Sequence, residues 1–400
     1  MARKLRDNTE KIPLEPSSTG GFPGETAILS KRGVVPISEI KIGDQVMTHN
    51  SRWKPVLNLV VSRQPTVRLY GYGNTSIESA CGSQFYARQL APLITKSGKY
   101  GRHKSSLLEP ERIAAKGLAE KDASTAYSRV RTGITWASPT VFPRYWRRMP
   151  DTLGVDAESD AFFYMIGRWL GDGWIRRNKC IRICANLPES DHLFKELKKT
   201  GLKWSRHNHS ESVEVMDCYS VKLVKWMRSN FKEHAENKTL PAWIYTASET
   251  QRRSLLKGYS ESDGHLRKNN STSASSVSRC LAVGVRMVCH SLGMPCSISS
   301  SDAKESPRGD DPTRMMQVRK AFHLHWRVDA EWDKAYRTEF HLWGRVREIS
   351  EGVGSTDIFD LAVADDNSFV ADGQVVFSGV CPIMAKVLAD ANYVNEGVTA

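Results

Sequence analysis

Two stretches of this chain are copies of one pattern, and that pattern constrains how the middle of the molecule is built. Residues 164–175 (YMIGRWLGDGWI) align with 255–266 (LLKGYSESDGHL), pairing Gly167 with Gly258, Asp172 with Asp263 and Gly173 with Gly264. A small residue precedes each aspartate, Gly171 in one copy and Ser262 in the other. Repeated units bury their apolar faces against one another, so an internal repeat sets the architecture. Each copy reads as a helix that stops at Asp-Gly. Phe162, Phe163, Ile166, Trp169 and Leu170 fall at helical spacing in the first. Ser248 and Gln251 form a capping-box start for the second, and the glycine after each aspartate suits a left-handed stop.

A carboxylate in the last turn of a helix faces the negative end of the macrodipole, which disfavours it. Here the arrangement occurs twice, each time after a Gly-x-x-x-small spacing that lets two helix backbones approach closely. Such a pair carries both carboxylates to one end. Adjacent anions are tolerated when divalent cations sit with them, and hard oxygen ligands favour magnesium or calcium. The plainer alternative is two unrelated surface turns.

These residues resemble the LAGLIDADG homing endonucleases in their single-chain form. The resemblance implies that the helices form a dyad interface and that Asp172 and Asp263 each serve one of two active sites cutting opposite DNA strands. It further implies Mg2+ (or Mn2+), held by both aspartates with the carbonyls of Gly171 and Ser262. The second copy departs at Ser260, Glu261 and Ser262, which are more polar than the usual motif. Lys238, in the Lys-x-Leu-Pro setting before the second motif, resembles the family's active-site lysine, and Lys320 is the candidate partner in the second half.

Fifty-seven Lys and Arg against 44 Asp and Glu give a net charge of +13, which with eleven Trp and twelve Tyr fits a polyanionic partner. Eight scattered cysteines without paired CxxC spacing argue against zinc and against a disulfide framework. Reduced thiols in a cytoplasmic setting, bacterial or phage-infected, are the expectation. No signal peptide is read at the start, and no run is long enough to span a membrane.

Residues 1–20 read as a flexible flank. Short strands punctuated by turns follow. Residues 24–29 (GETAIL) and 36–46 (PISEIKIGDQV) resemble the first block of an intein, the self-splicing Hint fold; residues 358–363 (IFDLAV), 367–371 (NSFVA) and 373–376 (GQVV) resemble its last strands. The splicing chemistry does not carry over. Gly21 stands where the first nucleophile belongs, and Ala80 to Ser83 replace Thr-x-x-His. Phe377 and Ser378 replace His-Asn, and Gly379 replaces the acceptor. Acyl transfer needs an activated nucleophile beside its base. The reading is therefore a splicing-degenerate intein, with a shifted junction at Cys81 or Cys381 as the alternative.

The expected fold class is α+β: an all-β Hint-like horseshoe with an inserted pseudo-two-fold endonuclease whose halves each run αββαββα. The expected domains are the Hint-like first part at 21–95, a basic DNA-contacting insert at 96–150, and the endonuclease at 151–343, with halves at about 155–245 and 246–343. The Hint-like last part at 344–379 and a flank at 380–400 complete the chain. Residues 96–148 carry twelve Lys and Arg against four Asp and Glu, and a solvated linker is the competing reading. His207 with His209 and His323 with His325 lie two apart, where side chains share a strand face; solvated polar positions are the plainer account than metal ligation. The expected activity is site-specific, double-strand DNA cleavage by a monomer with an internal pseudo-dyad. The alternatives are a non-cutting maturase- or repressor-like binder, or a splicing-competent intein.

Overall fold

The computed structural model describes residues 20–71, 76–90, 107–119, 134–145, 153–266, 271–308, 311–327 and 335–379. Its largest element is a thirteen-stranded antiparallel sheet. Two long strands, Trp53–Gly71 and His341–Val363, pair along most of their length, with Val346 opposite Gly71 and Val363 opposite Val56. Three register irregularities let so long a ribbon bend and twist. Phe22–Pro23 pairs with Phe359 and Ile358. Gln84–Leu90 pairs with Gln374–Phe377, Leu107–Ala114 and Ile134–Pro139. The first and last described strands therefore share one sheet, and so do Leu107–Ala114 and Ile134–Pro139 of the 96–150 segment. Phe22, Ile28, Val35, Leu69, Phe85, Trp136 and Phe369 fill one of its cores.

The repeat occupies the middle. Its first helix, α1 (Asp160–Asp172), starts at Ser159, whose hydroxyl accepts from the Phe162 N–H. Every residue from Phe162 to Leu170 is buried, as expected of a helix enclosed on all sides. The strands Gly173–Arg176 and Cys180–Asn186, helix α2 (Leu187–Lys198), the strands Trp204–Asn208 and Val213–Tyr219 and helix α3 (Val221–Phe231) follow. The second copy begins with α4 (Glu249–Ser260), whose capping box joins Ser248 and Gln251 in both directions. It continues through Gly264–Leu266, Ser271–Ser276, α5 (Arg279–Ser291), Cys296–Ser301 and Ala321–Arg327. The two four-stranded sheets have the same internal order: first, second, fourth, third.

The α+β expectation is corrected. The described residues hold 23 strands and five α-helices, and strand dominates. The second copy also departs from αββαββα. A ribbon of Lys304–Arg308 paired with Asp311–Val318 extends its last hairpin, and no closing helix follows among the described residues. Pro307 and Pro312 sit in that ribbon, where a helix interior would lose hydrogen bonds. The chain passes instead to Ala335–Arg337, which rejoins the large sheet.

The large sheet packs directly against this second half. Buried Leu29, Val34, Ala137, Trp343 and Val370 of the sheet lie in one apolar cluster with Phe163, Met165, Leu255 and Val285. Charge ties the two together as well. Buried Asp372 accepts from Arg279 at the start of α5 and from the Ala27 N–H, while the Asp372 carbonyl accepts from Arg286.

α1 and α4 pack backbone to backbone. A Cβ at Gly167 would lie 2.1 Å from the Leu255 carbonyl oxygen, and one at Gly258 would lie 2.1 Å from that of Tyr164. No larger residue fits at either crossing point. Gly173 and Gly264 play a different part from the left-handed stops the sequence suggested. Gly173 has φ −103°, and Gly264 is not among the positive-φ glycines. They are small because a Cβ would strike the Trp169 indole at 2.3 Å in one case and the Ser260 carbonyl at 2.3 Å in the other.

Candidate active site

Helices sealed at Gly167 and Gly258 bring their C-terminal ends together. A Cβ on Gly171 would stand 3.2 Å from the Asp263 carboxyl carbon and 2.0 Å from the Ser262 hydroxyl. The Ser262 hydroxyl accepts from the Asp172 N–H at 2.8 Å and donates to the Arg168 carbonyl at 3.3 Å. It thus knits the two motifs together with its side chain. Asp172 is 32 % exposed and Asp263 faces solvent on one side, so both carboxylates are accessible. The surrounding protein, and then the charge of Asp172, push the Asp263 carboxyl up to about 6; Lys238 and Arg168 pull against that rise.

Lys238 is 3 % exposed. Its ammonium donates to the carbonyls of Trp169 at 2.8 Å, Leu170 at 2.9 Å and Gly173 at 2.8 Å, reaches Gly171 at 3.4 Å, and lies 4.6 Å from the Trp169 ring centre. These carbonyls lie in and just beyond the last turn of α1, where that of Trp169 also accepts from the Gly173 N–H, and a cation there offsets the macrodipole. Burial pulls Lys238 down to about 8, against the attraction of Asp263 and Asp172. The sheet holds its backbone in place. The Val34 N–H donates to the Leu240 carbonyl, the Thr239 hydroxyl donates to the Val34 carbonyl, and the Ser278 hydroxyl donates to that of Lys238.

Arg168 was not singled out from the sequence. It is 2 % exposed, donates to the Glu261 carbonyl and places its guanidinium 4.0 Å from the Asp172 carboxylate. An arginine within the apolar stretch of a helix was the available signal. Cys184 is a second omission; its thiol faces the Asp172 carbonyl at 3.6 Å, and burial followed by the Asp172 charge pushes its pKa up.

Lys320 lies elsewhere. It is exposed between the strands ending at Val318 and beginning at Ala321, with its ammonium 6.0 Å from the Phe322 ring. The cations that act on Asp263 are Lys238 and Arg168. His207 is paired loosely with Asp217 at 3.7 Å, and His323 sits between the hydroxyls of Ser275 and Ser301 at 2.8 and 2.9 Å. Residues 96–106, 120–133 and 146–148 of the basic segment, and Cys381, lie outside the described residues.

Two carboxylates suit a magnesium-like ion, which keeps several waters and needs only one or two protein carboxylates. Among the described residues no three His, Cys, Asp or Glu side chains converge to enclose a metal. Water and phosphate oxygens would complete the shell. The Gly171 carbonyl is shared with Lys238, which weakens its claim as a ligand.

A second convergence occurs where the first and last described residues meet. Gly20 and Gly379 lie side by side, a Cβ on Gly20 falling 3.5 Å from the Gly379 Cα. The Ser83 hydroxyl accepts from the Gly21 N–H at 3.0 Å and donates to its carbonyl at 2.9 Å, while the Ala80 N–H donates to the same carbonyl. The Gly379 N–H donates to the buried Asp360 carboxylate at 2.7 Å. Ser378 is buried with its N–H on the Asn367 carbonyl, and the Phe377 ring lies under the Arg112 guanidinium at 4.0 Å. At Gly21, φ is +138° and a Cβ would fall 2.3 Å from the Ile358 side chain, so no side chain is accommodated. Expressed between foreign flanks, the chain should therefore stay full length by intact mass spectrometry. Gly21→Cys should restore no ligation and should lower stability; a joined-flank product from either protein would overturn this.

No family model matches the chain. Among curated proteins it is similar to the ATP-dependent DNA helicase Hel308 of Thermococcus kodakarensis, at 23% identity over 438 residues covering 94% of this chain and 38% of the helicase. The chain thus spans well under half the length of that relative. Among solved structures it is similar to I-DmoI in complex with DNA and Ca, with 14% identity, 43% of this chain and 85% of that one covered, and a TM-score of 0.27. It is also similar to the gp41-1 intein, with 19% identity, 24% and 81% coverage and a TM-score of 0.17. No described helix is long and apolar enough to cross a membrane.

Proposed function

We propose that this chain is a site-specific DNA endonuclease of the LAGLIDADG type, hydrolysing both strands of a duplex and carried on an intein-derived scaffold that no longer splices. One observation carries the reading: two carboxylates meet at the end of a glycine-sealed helix pair, between two sheets of matching strand order. Asp172 and Asp263 would hold magnesium or manganese, which when bound supplies Lewis-acid chemistry at a phosphate oxygen and lowers the pKa of a bound water. Lys238 neutralises the end of α1, so the paired carboxylates face less repulsion. Exposed His207 on the first sheet and His323 on the second, each on the strand face opposite the apolar cluster, belong to the surface offered to base edges and phosphates.

Incubating the protein with a randomised duplex library in magnesium, then sequencing the cut ends, tests the reading directly. Recurrent cuts at one site, abolished by chelator, are the expected result. Affinity for that duplex should fall by ~10³ or more between 50 and 200 mM salt if about six phosphates are contacted. A flat salt dependence with no cleavage sinks the proposal. The non-cutting binder remains as a second reading on one specific ground. Lys238 and Arg168 already balance the two carboxylates from within the protein, and such a site stands without metal. Tight binding of one duplex, with no cleavage in magnesium or manganese, would favour it.

A further inference from the structure

We propose that Arg168 is the second positioning cation of the site, holding the end of α4 and its aspartate as Lys238 holds the end of α1. This rests on the endonuclease reading. The repeat suggests looking for a second lysine in the second half, but the geometry places the cation on the dyad itself.

The argument begins with the helix ends. Lys238 donates from outside the helix pair to the carbonyls of Trp169 and Leu170 in the last turn of α1 and of Gly173 just beyond it. At the end of α4 the corresponding contact comes from within the pair, where Arg168 of α1 crosses the interface and donates to the Glu261 carbonyl. Glu261 is steadied by its own side chain, which accepts from the Tyr164 hydroxyl at 2.5 Å and lies 3.7 Å from His192. The polar run Ser260, Glu261 and Ser262, out of place in a packed helix, thereby acquires a role: it receives an arginine and a tyrosine from the partner helix.

The repeat also shows that this cation is one-sided. Arg168 aligns with Tyr259, which is fully buried and turns its hydroxyl to the Ser275 carbonyl of its own sheet at 3.1 Å. The dyad thus carries a single arginine. Its Nε and Nη2 make no hydrogen bond, although the residue is 2 % exposed, and Nη2 stands 4.0 Å from the Asp172 carboxylate. A buried guanidinium with unspent donors beside a carboxylate is a fixed counter-charge, and it competes with a metal ion for that carboxylate while holding the geometry.

Two variants separate charge from shape. Arg168→Gln keeps a donor and loses the charge; Arg168→Lys keeps the charge with a different reach. Manganese binding to the protein alone is measured by electron paramagnetic resonance, single-turnover cleavage is followed on each labelled strand, and a melt without metal records folding. For Arg168→Gln, manganese affinity should rise on the order of tenfold, because a repelling charge is gone. Cleavage should nevertheless slow by at least about tenfold. Arg168→Lys should return the affinity to the wild-type value and recover part of the rate.

A purely structural role makes the opposite prediction: affinity, rate and melting temperature fall together, and lysine does not restore them. That pattern overturns the proposal, as does a glutamine variant that matches wild type in both assays. Should Arg168→Gln fail to fold, Arg168→Lys decides the matter, since weaker manganese binding in that variant is also fatal. Manganese binding that responds as expected in a protein that cuts neither strand retires the endonuclease reading alone. Cleavage by wild type that is indifferent to residue 168 retires this proposal alone.

Discussion

Replacing Asp172 or Asp263 with Asn is expected to lower double-strand cleavage in magnesium by about 10³ or more. Asn keeps the size and hydrogen-bonding reach of the side chain while removing one unit of charge. A Lewis-acid contribution of several kcal/mol goes with the ion, and each 1.4 kcal/mol is tenfold in rate. The product should be nicked circles if each aspartate serves one strand, or uncut plasmid if a central ion serves both. Duplex binding in calcium should survive, because the proposed reading puts base and phosphate contacts on the sheets. Wild-type cleavage of both strands by both variants would remove these residues from the mechanism.

The same substitution has a signature without DNA. The protein around Asp263 and the charge of Asp172 raise its pKa from an ordinary value of about 4 up to about 6. Between those values the folded chain holds the proton more tightly than the unfolded chain. The stability it contributes is therefore present below about pH 4 and is lost as pH rises through 6. Metal-free protein should lose stability across that window, and Asp263→Asn should flatten the profile. A wild-type curve already flat there would show that neither burial nor the Asp172 charge raises the Asp263 carboxyl.

Asp372→Ala is expected to cost about 3 kcal/mol of folding stability, because it leaves the largely buried Arg279 guanidinium with only the exposed Glu25 carboxylate at 4.0 Å and orphans the Ala27 N–H. Asp372 is fully buried, and its carboxylate accepts from Arg279 and from the Ala27 N–H. It also sits at φ 47°, a backbone region where Asp is among the few comfortable residues. The loss is a large share of a typical 5–15 kcal/mol total. Arg279 begins α5, and α5 belongs to the apolar cluster that includes Leu29, Trp343 and Val370. Urea unfolding, followed by tryptophan fluorescence and circular dichroism, should show one transition shifted as a whole. Two separate transitions, with the helix pair unaffected by the substitution, would mean that the large sheet is a detachable carrier. A single shifted transition would show that the large sheet and the second half unfold together, the sheet also anchoring the segment that bears Lys238.

Much of the middle of this molecule follows from short-range signals. The alignment of Gly167 with Gly258 and of Asp172 with Asp263 anticipates two close helices with converging ends, because glycine spacing and helical period act within a few turns. Ser248 caps the helix that its sequence announces, since a cap needs only a side chain and an N–H three residues on. The emptiness of the junction is equally local, as Gly21 and Gly379 have no side chain to react.

What the tertiary structure decided depends on partners far apart in sequence. Lys238 reaches the end of a helix 65 to 69 residues earlier, and Arg168 reaches Glu261 across 93. No period or motif encodes either contact. Lys320 was chosen by symmetry, but the repeat is broken at that place by the ribbon of Lys304–Arg308 and Asp311–Val318 and by the return of the chain to the large sheet. Gly173 and Gly264 were read as left-handed stops because glycine usually means freedom of φ. Here they are required by the space between backbone and side chain, a quantity that exists only once the helices have packed.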